Sequence, residues 1–223
     1  MCGRYANHIG AMLGWTDVLA DWPAQAELSF NIAPSQMAPI VTSQGCAVFR
    51  WGLLPAWVDT QQTAFSTFNA RLATLAEKPS FRDAWTRGRR CIVPALGYYE
   101  WQQQSNTKQA YFVTRKDCNP ILFGGLFECP RLDTPGSFTI ITRPAEGLLE
   151  PLHHAMPLMF EASQAKLWMH GNVDESENLA WQPYSEDYRF YPVSNRVNNV
   201  HNQGTDLIRE ILPEVPPQQG FGF

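Results

Sequence analysis

The chain has 223 residues, a formal net charge of −4 and a hydrophobic fraction of 44%, so it is long enough for one large domain or two small ones with a sizeable core. Its negative charge argues against a protein that coats nucleic acid without specificity, because that affinity comes from neutralising phosphates. No apolar segment approaches the ~20 residues of a membrane span and no secretion signal opens the chain, which predicts a soluble cytoplasmic protein without a membrane partner.

The chain opens with Met1-Cys2-Gly3-Arg4-Tyr5, and Cys2 is its most informative residue. An initiator methionine before so small a residue is expected to be removed, which would leave an α-amine and a thiol on one residue. Such a 1,2-aminothiol attacks amides as an N-terminal nucleophile, or condenses with an aldehyde through a Schiff base that the thiol closes into a thiazolidine ring. The alternative is that Cys2 is an early core residue, since free cysteine is among the most buried residue types.

Beyond this opening, the sequence from Asn7 to Trp22 predicts a helix, because apolar residues recur at helical spacing after Asn7, a suitable N-cap. Short β-rich segments bounded by Gly, Pro, Asn or Asp then dominate. The predicted strands are Met37–Ser43, Cys46–Trp51, Cys91–Pro94, Tyr98–Gln102, Tyr111–Arg115, Ile121–Phe127 and Ser137–Thr142. The predicted short helices are Ser80–Thr86, Ser163–His170 and Gly204–Leu212.

This order of elements predicts the fold class. Strands with single inserted helices and without regular βαβ alternation indicate an α+β fold in a single domain, with a largely antiparallel, barrel-like β-rich core and short flanking helices. We place this domain at residues 1–212. The remaining residues 213–223, rich in Pro, Gly and Gln, are predicted to form a flexible C-terminal tail.

The cysteines predict no covalent or metal-bound framework. They are odd in number and widely spaced, without a Cys-x-x-Cys pair, at Cys2, Cys46, Cys91, Cys118 and Cys129. This arrangement is typical neither of a disulfide framework nor of a zinc site. We therefore expect no metal and no other cofactor.

Three groups of polar residues are candidates for chemistry or binding. Glu100 stands among aromatic residues in a predicted strand, where burial would raise its pKa and suit it to proton transfer; the alternative is a carboxylate on an edge strand. His153 and His154 are adjacent, so in an extended segment they would point to opposite faces and only one would reach a given site. Asn69 and Arg71 are two residues apart, hence on one face of a strand, and suit a carbonyl or a phosphate.

An arginine cluster offers a further candidate surface. Its members are Arg82, Arg87, Arg89 and Arg90. They would form either a local basic groove for nucleic acid or an ordinary solvated surface.

Taken together, these features resemble the SOS-response-associated peptidase (SRAP) family, the abasic-site sensors also described as 5-hydroxymethylcytosine-binding proteins. The matching phrases run in family order along nearly the whole chain. They are MCGRY at 1–5, FNIAPSQ at 30–36, RWGLLPAW at 50–57, FNARLAT at 68–74, PSFRDAW at 79–85, RRCIVPALGYYEW at 89–101, FTIITRPA at 138–145, HHAMPLMF at 153–160 and PVSNRVNNVHNQG at 192–204.

The resemblance implies an α+β fold and a self-reacting activity on DNA. In such proteins the terminal cysteine traps the ring-opened aldehyde of an abasic site in single-stranded DNA as a thiazolidine cross-link, which protects the lesion during the DNA damage response. It further implies that the partners are single-stranded DNA with abasic sites and the replication machinery, and that the protein is a monomer in the cytoplasm, associated with the nucleoid when on DNA. Lyase activity at the abasic site and autoproteolytic exposure of Cys2 belong to the same expectation.

The resemblance also implies roles for individual residues. Cys2 is the nucleophile and linker, Asn69 orients the α-amine or the sugar, and Glu100 shuttles protons. His153 assists ring opening or reversal; it is chosen over His154 because the family histidine stands four residues before the proline, here Pro157. The residues implied to contact DNA are Arg4 and Arg71 at phosphates, Thr142 at the backbone and Trp57 at a loop that stacks near the lesion.

The sequence departs from the family pattern at two places. Relatives usually carry an arginine two residues after the histidine, where this chain has Ala155, and this puts the affinity for DNA in doubt more than the chemistry. Leu96-Gly97 replaces the usual Asp-Gly before the aromatic-Glu-Trp motif, which we interpret as a turn variation.

Two other function classes stay open from the sequence. One is an N-terminal-nucleophile amidohydrolase or autopeptidase that uses Cys2, since glutamine amidotransferases also begin Met-Cys-Gly. The other is a non-catalytic module that binds modified bases or single-stranded DNA through its aromatic residues.

Overall fold

The computed structural model of the protein describes residues 2–7, 29–58, 66–104, 107–183 and 187–212. Most of the helix predicted from Asn7 to Trp22 and the whole predicted tail at 213–223 lie outside the described residues. Asn7 itself is buried and ends a strand.

The described residues form thirteen strands and three α-helices. The strands are β1 (Tyr5–Asn7), β2 (Ser29–Ile32), β3 (Met37–Thr42), β4 (Gly45–Trp51), β5 (Asn69–Arg71), β6 (Arg90–Ala95), β7 (Gly97–Gln104), β8 (Thr107–Arg115), β9 (Ile121–Glu128), β10 (Ser137–Pro144), β11 (Ala155–Pro157), β12 (Met159–Phe160) and β13 (Tyr188–Pro192). The helices are α1 (Pro79–Thr86), α2 (Ala162–His170) and α3 (Val173–Ala180), and four 3₁₀ turns are Leu72–Thr74, Gly147–Leu149, Asn195–Asn198 and Thr205–Ile208.

The strands form two sheets. The smaller one is antiparallel throughout, in the order β13-β8-β7-β1-β2. In the larger one, β10 pairs with both β4 and β9, so that β10-β4-β3-β6-β9 closes into a ring. Pairing within this ring is antiparallel except between β10 and β4. The prediction of an α+β domain with a largely antiparallel, barrel-like core is therefore confirmed.

Strand alternation divides the side chains between separate cores, because successive residues of a strand point to opposite faces. In β6, Cys91 and Val93 enter a core shared with the five-stranded sheet, whereas Ile92 packs toward the helices. The shared core also takes Tyr5 and Tyr98 from the five-stranded sheet. Side chains from two sheets thus meet in one apolar interior, and the N-terminal strand β1 contributes directly to it.

The helices cover the outer face of the larger sheet. Arg90 is buried between the rings of Trp85 in α1 and Trp168 in α2, and its Nε donates to the Trp168 carbonyl at 2.8 Å. The Trp168 Nε1 donates in turn to the Cys91 carbonyl at 2.9 Å. Because a buried charge must be paired or hydrogen-bonded, this arrangement fixes α2 to the end of β6.

The seven predicted strands and the helices predicted at Ser80–Thr86 and Ser163–His170 are confirmed, with their ends shifted by at most four residues. The helix predicted at Gly204–Leu212 is wrong. Only Thr205–Ile208 forms a single 3₁₀ turn, after which Glu210 pairs with Val193 as a β-bridge. Arg209 directly after this turn is already extended, with φ −78° and ψ 131°, and Pro213 disfavours helical geometry at the residue before it, so the turn does not continue into an α-helix.

No helix in the described ranges is long and apolar enough to cross a membrane.

Gly97 begins β7 at a point where no side chain fits. A Cβ there would lie 2.4 Å from the Phe112 ring and 2.5 Å from the Val113 carbonyl oxygen. We expect Gly97→Ala to lower the free energy of unfolding by about 1–3 kcal/mol, because the backbone of β8 must move. Urea denaturation measures this difference.

Lys108→Ala, at an exposed position of the neighbouring strand, is the control and should stay within about 0.5 kcal/mol of the parent protein. An unchanged urea midpoint for Gly97→Ala would show that β7 and β8 are not packed as closely as described.

Candidate functional site

Cys2 lies immediately before β1 and is completely buried in the core shared by the two sheets. Strand β1 holds this position because it is an interior strand, with Tyr5 opposite both Ile32 and Tyr98. The Tyr99 amide donates to the Arg4 carbonyl at 2.9 Å, which extends the pairing beyond the strand itself. The start of the chain is therefore part of the folded core.

Glu100 reaches the same interior from β7. Tyr98 enters the shared core and Tyr99 the opposite face, so alternation places Glu100 on the side of Tyr98. Its side chain is buried, and burial raises the pKa of the Glu100 carboxyl. The expectation of a buried acid among aromatic residues is confirmed, and the edge-strand alternative is wrong because β7 lies between β8 and β1.

Asn69 approaches Cys2 from the other sheet. It is the first residue of β5, which pairs in parallel with β10 at Ile140. Its Nδ2 donates to the Cys2 carbonyl at 2.7 Å. Its Oδ1 is buried without a hydrogen-bond partner. One amide thus bridges the two sheets and leaves an acceptor beside the Cys2 main chain.

The thiol of Cys2 is held in its neutral form. Burial raises the pKa of Cys2, the negative charge of Glu100 raises it further, and the Arg4 amide, which donates to the sulfur, lowers it in part. Proton transfer must therefore accompany any nucleophilic attack by this sulfur. Glu100 is the neighbouring carboxyl whose own raised pKa suits that transfer.

His153 and His154 do not point to opposite faces, contrary to our prediction. They lie in a bend before β11, and their rings pack together with centroids 4.0 Å apart. The His153 Nδ1 lies 3.0 Å from the Ala155 nitrogen, which fixes this ring. Burial lowers the pKa of His153, and the positive charge of His154 partly lowers that of Glu100. Both imidazoles thus belong to the Glu100 end of the site.

The residues predicted to contact DNA have different environments. Arg71 is exposed and, two residues along β5, shares the face of Asn69 as predicted. Trp57 is 57% exposed and lines an open groove of about 740 Å³ against α1. Thr142 is buried, and its hydroxyl faces the Ala70 carbonyl at 3.5 Å. Arg4 is half-buried and hydrogen-bonded within the protein. Their contacts with DNA stay predictions.

The arginine cluster is largely engaged within the fold. Arg90 is buried against α2, Arg89 binds the buried carboxylate of Glu128, and the Arg87 Nε contacts Asp83 at 2.8 Å. Three of its four members thus serve packing and ion pairs. Arg82 and Arg87 nevertheless line the groove beside Trp57, together with Asp83, so only part of the cluster contributes to a groove.

Two features of the site were not predicted from the sequence. Asn31 is buried behind Arg4 and contacts its guanidinium. The Tyr5 hydroxyl is buried without a hydrogen-bond partner, and burial raises its pKa. The phrase FNIAPSQ contains Asn31, but nothing in the sequence indicates what its amide contacts.

The site contains no metal-binding arrangement within the ranges described, since no three His, Cys, Asp or Glu side chains come together there. All five cysteines are free.

Comparison with known proteins assigns the chain to a family. The sequence profile named SOS response associated peptidase (SRAP) matches residues 1–200. The chain belongs to the SRAP family. Two curated relatives of this SRAP protein are abasic site processing proteins by name. YoqW of Bacillus subtilis (strain 168) is 34% identical, over 81% of this chain and 85% of its own length. YedK of Escherichia coli (strain K12) is 30% identical, over 95% of this chain and 100% of its own length.

Solved structures agree with the fold of this SRAP chain. A protein from Bacteroides thetaiotaomicron superposes with a TM-score of 0.76 at 24% identity, covering 95% of this chain and 99% of its own. A phage-related protein from Bordetella bronchiseptica gives a TM-score of 0.68 at 26% identity, with coverages of 86% and 94%.

The buried carboxyl of Glu100 should make this SRAP protein less stable as the pH rises. Because its pKa in the folded state lies above the unfolded value, its neutral form is favoured by folding. The contribution of the neutral Glu100 carboxyl to the free energy of unfolding is fully present below the unfolded pKa of about 4.3 and is lost as the pH rises through the folded pKa. Glu100→Gln keeps the shape without the charge, so it should be more stable than the parent protein at pH 8, and the difference should be smaller at pH 5.

Thermal and urea unfolding at the two pH values measure this difference. A Glu100→Gln variant that is less stable than the parent protein at pH 8 would mean that hydrogen bonds to the carboxylate outweigh its desolvation.

Proposed function

We propose that this protein processes abasic sites by forming a covalent thiazolidine cross-link between Cys2 and the ring-opened deoxyribose of an abasic site in single-stranded DNA. Relatives that are 27–34% identical are named abasic site processing proteins. The observation that carries the proposal is the convergence on Cys2 of the Asn69 amide and the Glu100 carboxyl from two different sheets.

The proposed reaction begins with removal of Met1, which exposes the α-amine of Cys2. The amine nitrogen attacks the aldehyde carbon of the opened sugar, and the resulting carbinolamine loses water to give an imine. The sulfur of Cys2 then adds to the imine carbon, and the thiol proton passes to the nitrogen. One water is released overall and nothing is oxidised or reduced, so the aminothiol and the aldehyde suffice as reactants.

Asn69 is suited to hold the amine in this reaction. Its Nδ2 already binds the Cys2 carbonyl, and its unpartnered Oδ1 is an acceptor beside the same residue. A buried acceptor without a partner costs free energy, and a hydrogen bond from the exposed α-amine would remove that cost. Asn69 would then orient the amine toward the aldehyde.

Glu100 and His153 are suited to move the protons. The carboxyl accepts a proton as the amine attacks and returns it to the departing hydroxyl of the carbinolamine. When the thiol later closes the ring, the carboxylate accepts the thiol proton and passes it to the nitrogen. Its raised pKa keeps part of it in the acid form nearer to neutrality than an ordinary carboxyl. His153, whose pKa is lowered by burial, is a neutral base that assists opening of the sugar ring or reversal of the adduct.

A single strand is the substrate that an acidic protein of this kind can bind. Stacking on an aromatic side chain contributes ~1–3 kcal/mol per base, and few phosphate contacts are then needed. Trp57 and Arg71 are the exposed aromatic and cation that we assign to this binding. A single strand also avoids the cost of unpairing a duplex to reach the sugar. We place the reaction in the cytoplasm, at the nucleoid.

The imine is also the branch point to lyase activity. Loss of a proton from the sugar carbon next to the imine carbon would expel the 3′ phosphate by elimination, which breaks its C–O bond and cleaves the strand. Capture of the imine by the Cys2 thiol removes that route, so cross-linking and strand cleavage compete. This gives the thiol a protective role beyond simple attachment.

Cys2 variants separate the amine step from the thiol step. Cys2→Ser keeps an amine that forms an imine but lacks a thiol that closes the ring, so the heat-stable adduct should be lost and a borohydride-trapped adduct should remain. Mass spectrometry of the protein after incubation with an abasic-site oligonucleotide reports Met1 removal and the adduct mass together. A heat-stable adduct in Cys2→Ala would rule out the thiazolidine.

Variants of the acid and the two histidines test proton transfer. Under saturating DNA, Glu100→Gln should slow adduct formation by ~10²–10⁴-fold while binding of undamaged single strands is unchanged. His153→Ala should slow ring opening or release, and His154→Ala should have a smaller effect through the charge it places near Glu100.

A time course of adduct formation and release measures all three variants. If Glu100→Gln reacts at the parent rate, Glu100 is a structural acid. If only His154→Ala is slow, the histidine assignment must move by one residue.

A further inference from the structure

The Arg4 side chain lies in a hydrogen-bond network between the start of the chain and a segment near its other end, residues 197–202. Its Nη1 donates to the Asn31 Oδ1 at 2.8 Å and to the Val197 carbonyl at 2.8 Å. The two acceptors lie 27 and 193 residues away in the chain. One guanidinium nitrogen therefore joins three separate parts of the sequence.

Asn31 completes this network from β2. Its side chain is fully buried, and its Nδ2 donates to the carbonyls of Val197 at 3.3 Å, Asn199 at 3.0 Å and Asn202 at 3.0 Å. These contacts use both ends of the amide, so the Asn31 orientation that receives Arg4 is the one that holds the 197–202 segment. Arg4 and Asn31 thus act on the same segment.

Arg4 has further contacts that fix its side chain. Its guanidinium carbon lies 5.9 Å from the centre of the Trp101 ring, and the Trp101 Nε1 donates to the Asn198 Oδ1 at 2.8 Å. Its Nε is buried. The Arg4 side chain thus stacks on Trp101 of β7, the strand that also carries Glu100, and binds the 197–202 segment. These contacts fix the side chain, so it is not free to move toward a phosphate.

The Arg4 main chain connects this network to Cys2. The Arg4 carbonyl accepts from the Tyr99 amide at 2.9 Å, and the Arg4 amide donates to the Cys2 sulfur. Strand β1, which follows Arg4, is only three residues long. The end of the chain that precedes it would fray unless further contacts held it. The side chain of Arg4 supplies such a hold two residues from the reactive cysteine.

We infer that Arg4 is a positioning residue: it anchors the N-terminal segment to Asn31 and the 197–202 segment, and so holds Cys2 against Asn69 and Glu100. This assigns Arg4 a different task from the phosphate contact that the SRAP resemblance implies. Its effect on cross-linking rests on the proposed function, whereas its anchoring of the chain does not.

Arg4→Lys and Arg4→Met distinguish anchoring from phosphate binding. A phosphate needs a positive charge, which lysine keeps, whereas the shared contact with Asn31 and Val197 needs the guanidinium geometry. We expect both variants to slow single-turnover cross-linking by about 10-fold or more and to leave the salt dependence of single-strand binding unchanged. Arg71→Met is the matched comparison and should lower the salt slope by roughly one unit.

A double-mutant cycle with Asn31→Ala tests the network itself. Residues that act through one contact network are not additive, whereas independent residues are. The Arg4→Met/Asn31→Ala protein should cross-link no more slowly than the slower single variant. The Arg71→Met/Asn31→Ala protein should show the product of the two single effects.

Hydrogen exchange without DNA gives a readout that does not depend on the proposed function. In Arg4→Met and Arg4→Lys the Tyr99 amide and the amides of residues 197–202 should exchange faster than in the parent protein. If the parent protein forms no cross-link, the proposed function fails while this exchange still decides the anchoring. The inference is overturned if exchange is unchanged, if Arg4→Met lowers the salt slope by one unit with Arg4→Lys restoring it, or if the Arg4 and Asn31 effects multiply.

Discussion

The hydrogen bond from Asn69 to the Cys2 carbonyl is the interaction on which the candidate site depends, because it joins the two sheets at the reactive residue. It forms only if the five-stranded sheet packs on the strand ring with β1 in its interior. The same packing buries Cys2 and Glu100 together, and burial is the main cause of the raised pKa of each. Position and acidity at this site therefore have one structural origin.

The site is costly to bury, and the aromatic core around it offsets that cost. The Tyr5 hydroxyl and the Asn69 Oδ1 are buried without partners, and each such group is expected to cost about 1–3 kcal/mol. Tyr5 packs edge-to-face on Trp51 with ring centroids 5.1 Å apart, and Phe123 packs on it from a third strand. The packing of these aromatic rings offsets the cost of burying polar groups that have no partner until a substrate binds. Functional sites commonly lower local stability in this way.

The sequence allowed good prediction of the long strands but not of the short ones. Strands such as β7 and β9 span eight residues each, enough for alternation and bounding turns to be visible. Strands β1, β5 and β11 have three residues each, which is too few to show an alternation of apolar and polar residues. Their pairing depends on partners far away in the chain, as β5 on β10. The short strands nevertheless position Cys2, Asn69 and His153.

The same limit explains which parts of the site were predictable. The chemistry of Cys2 followed from its residue type and its position after Met1. The other catalytic candidates, Glu100, His153 and Asn69, followed from their sequence context, and their individual roles from the resemblance to SRAP proteins. The rule that neighbouring side chains alternate holds only in extended backbone, so it failed at the bend that packs His153 on His154. Asn31 gave no signal because its amide binds carbonyls more than 160 residues away. Residue type thus indicates which interactions a side chain can make. The tertiary contacts of Arg4 and Asn31 show which of those interactions are already made within the protein.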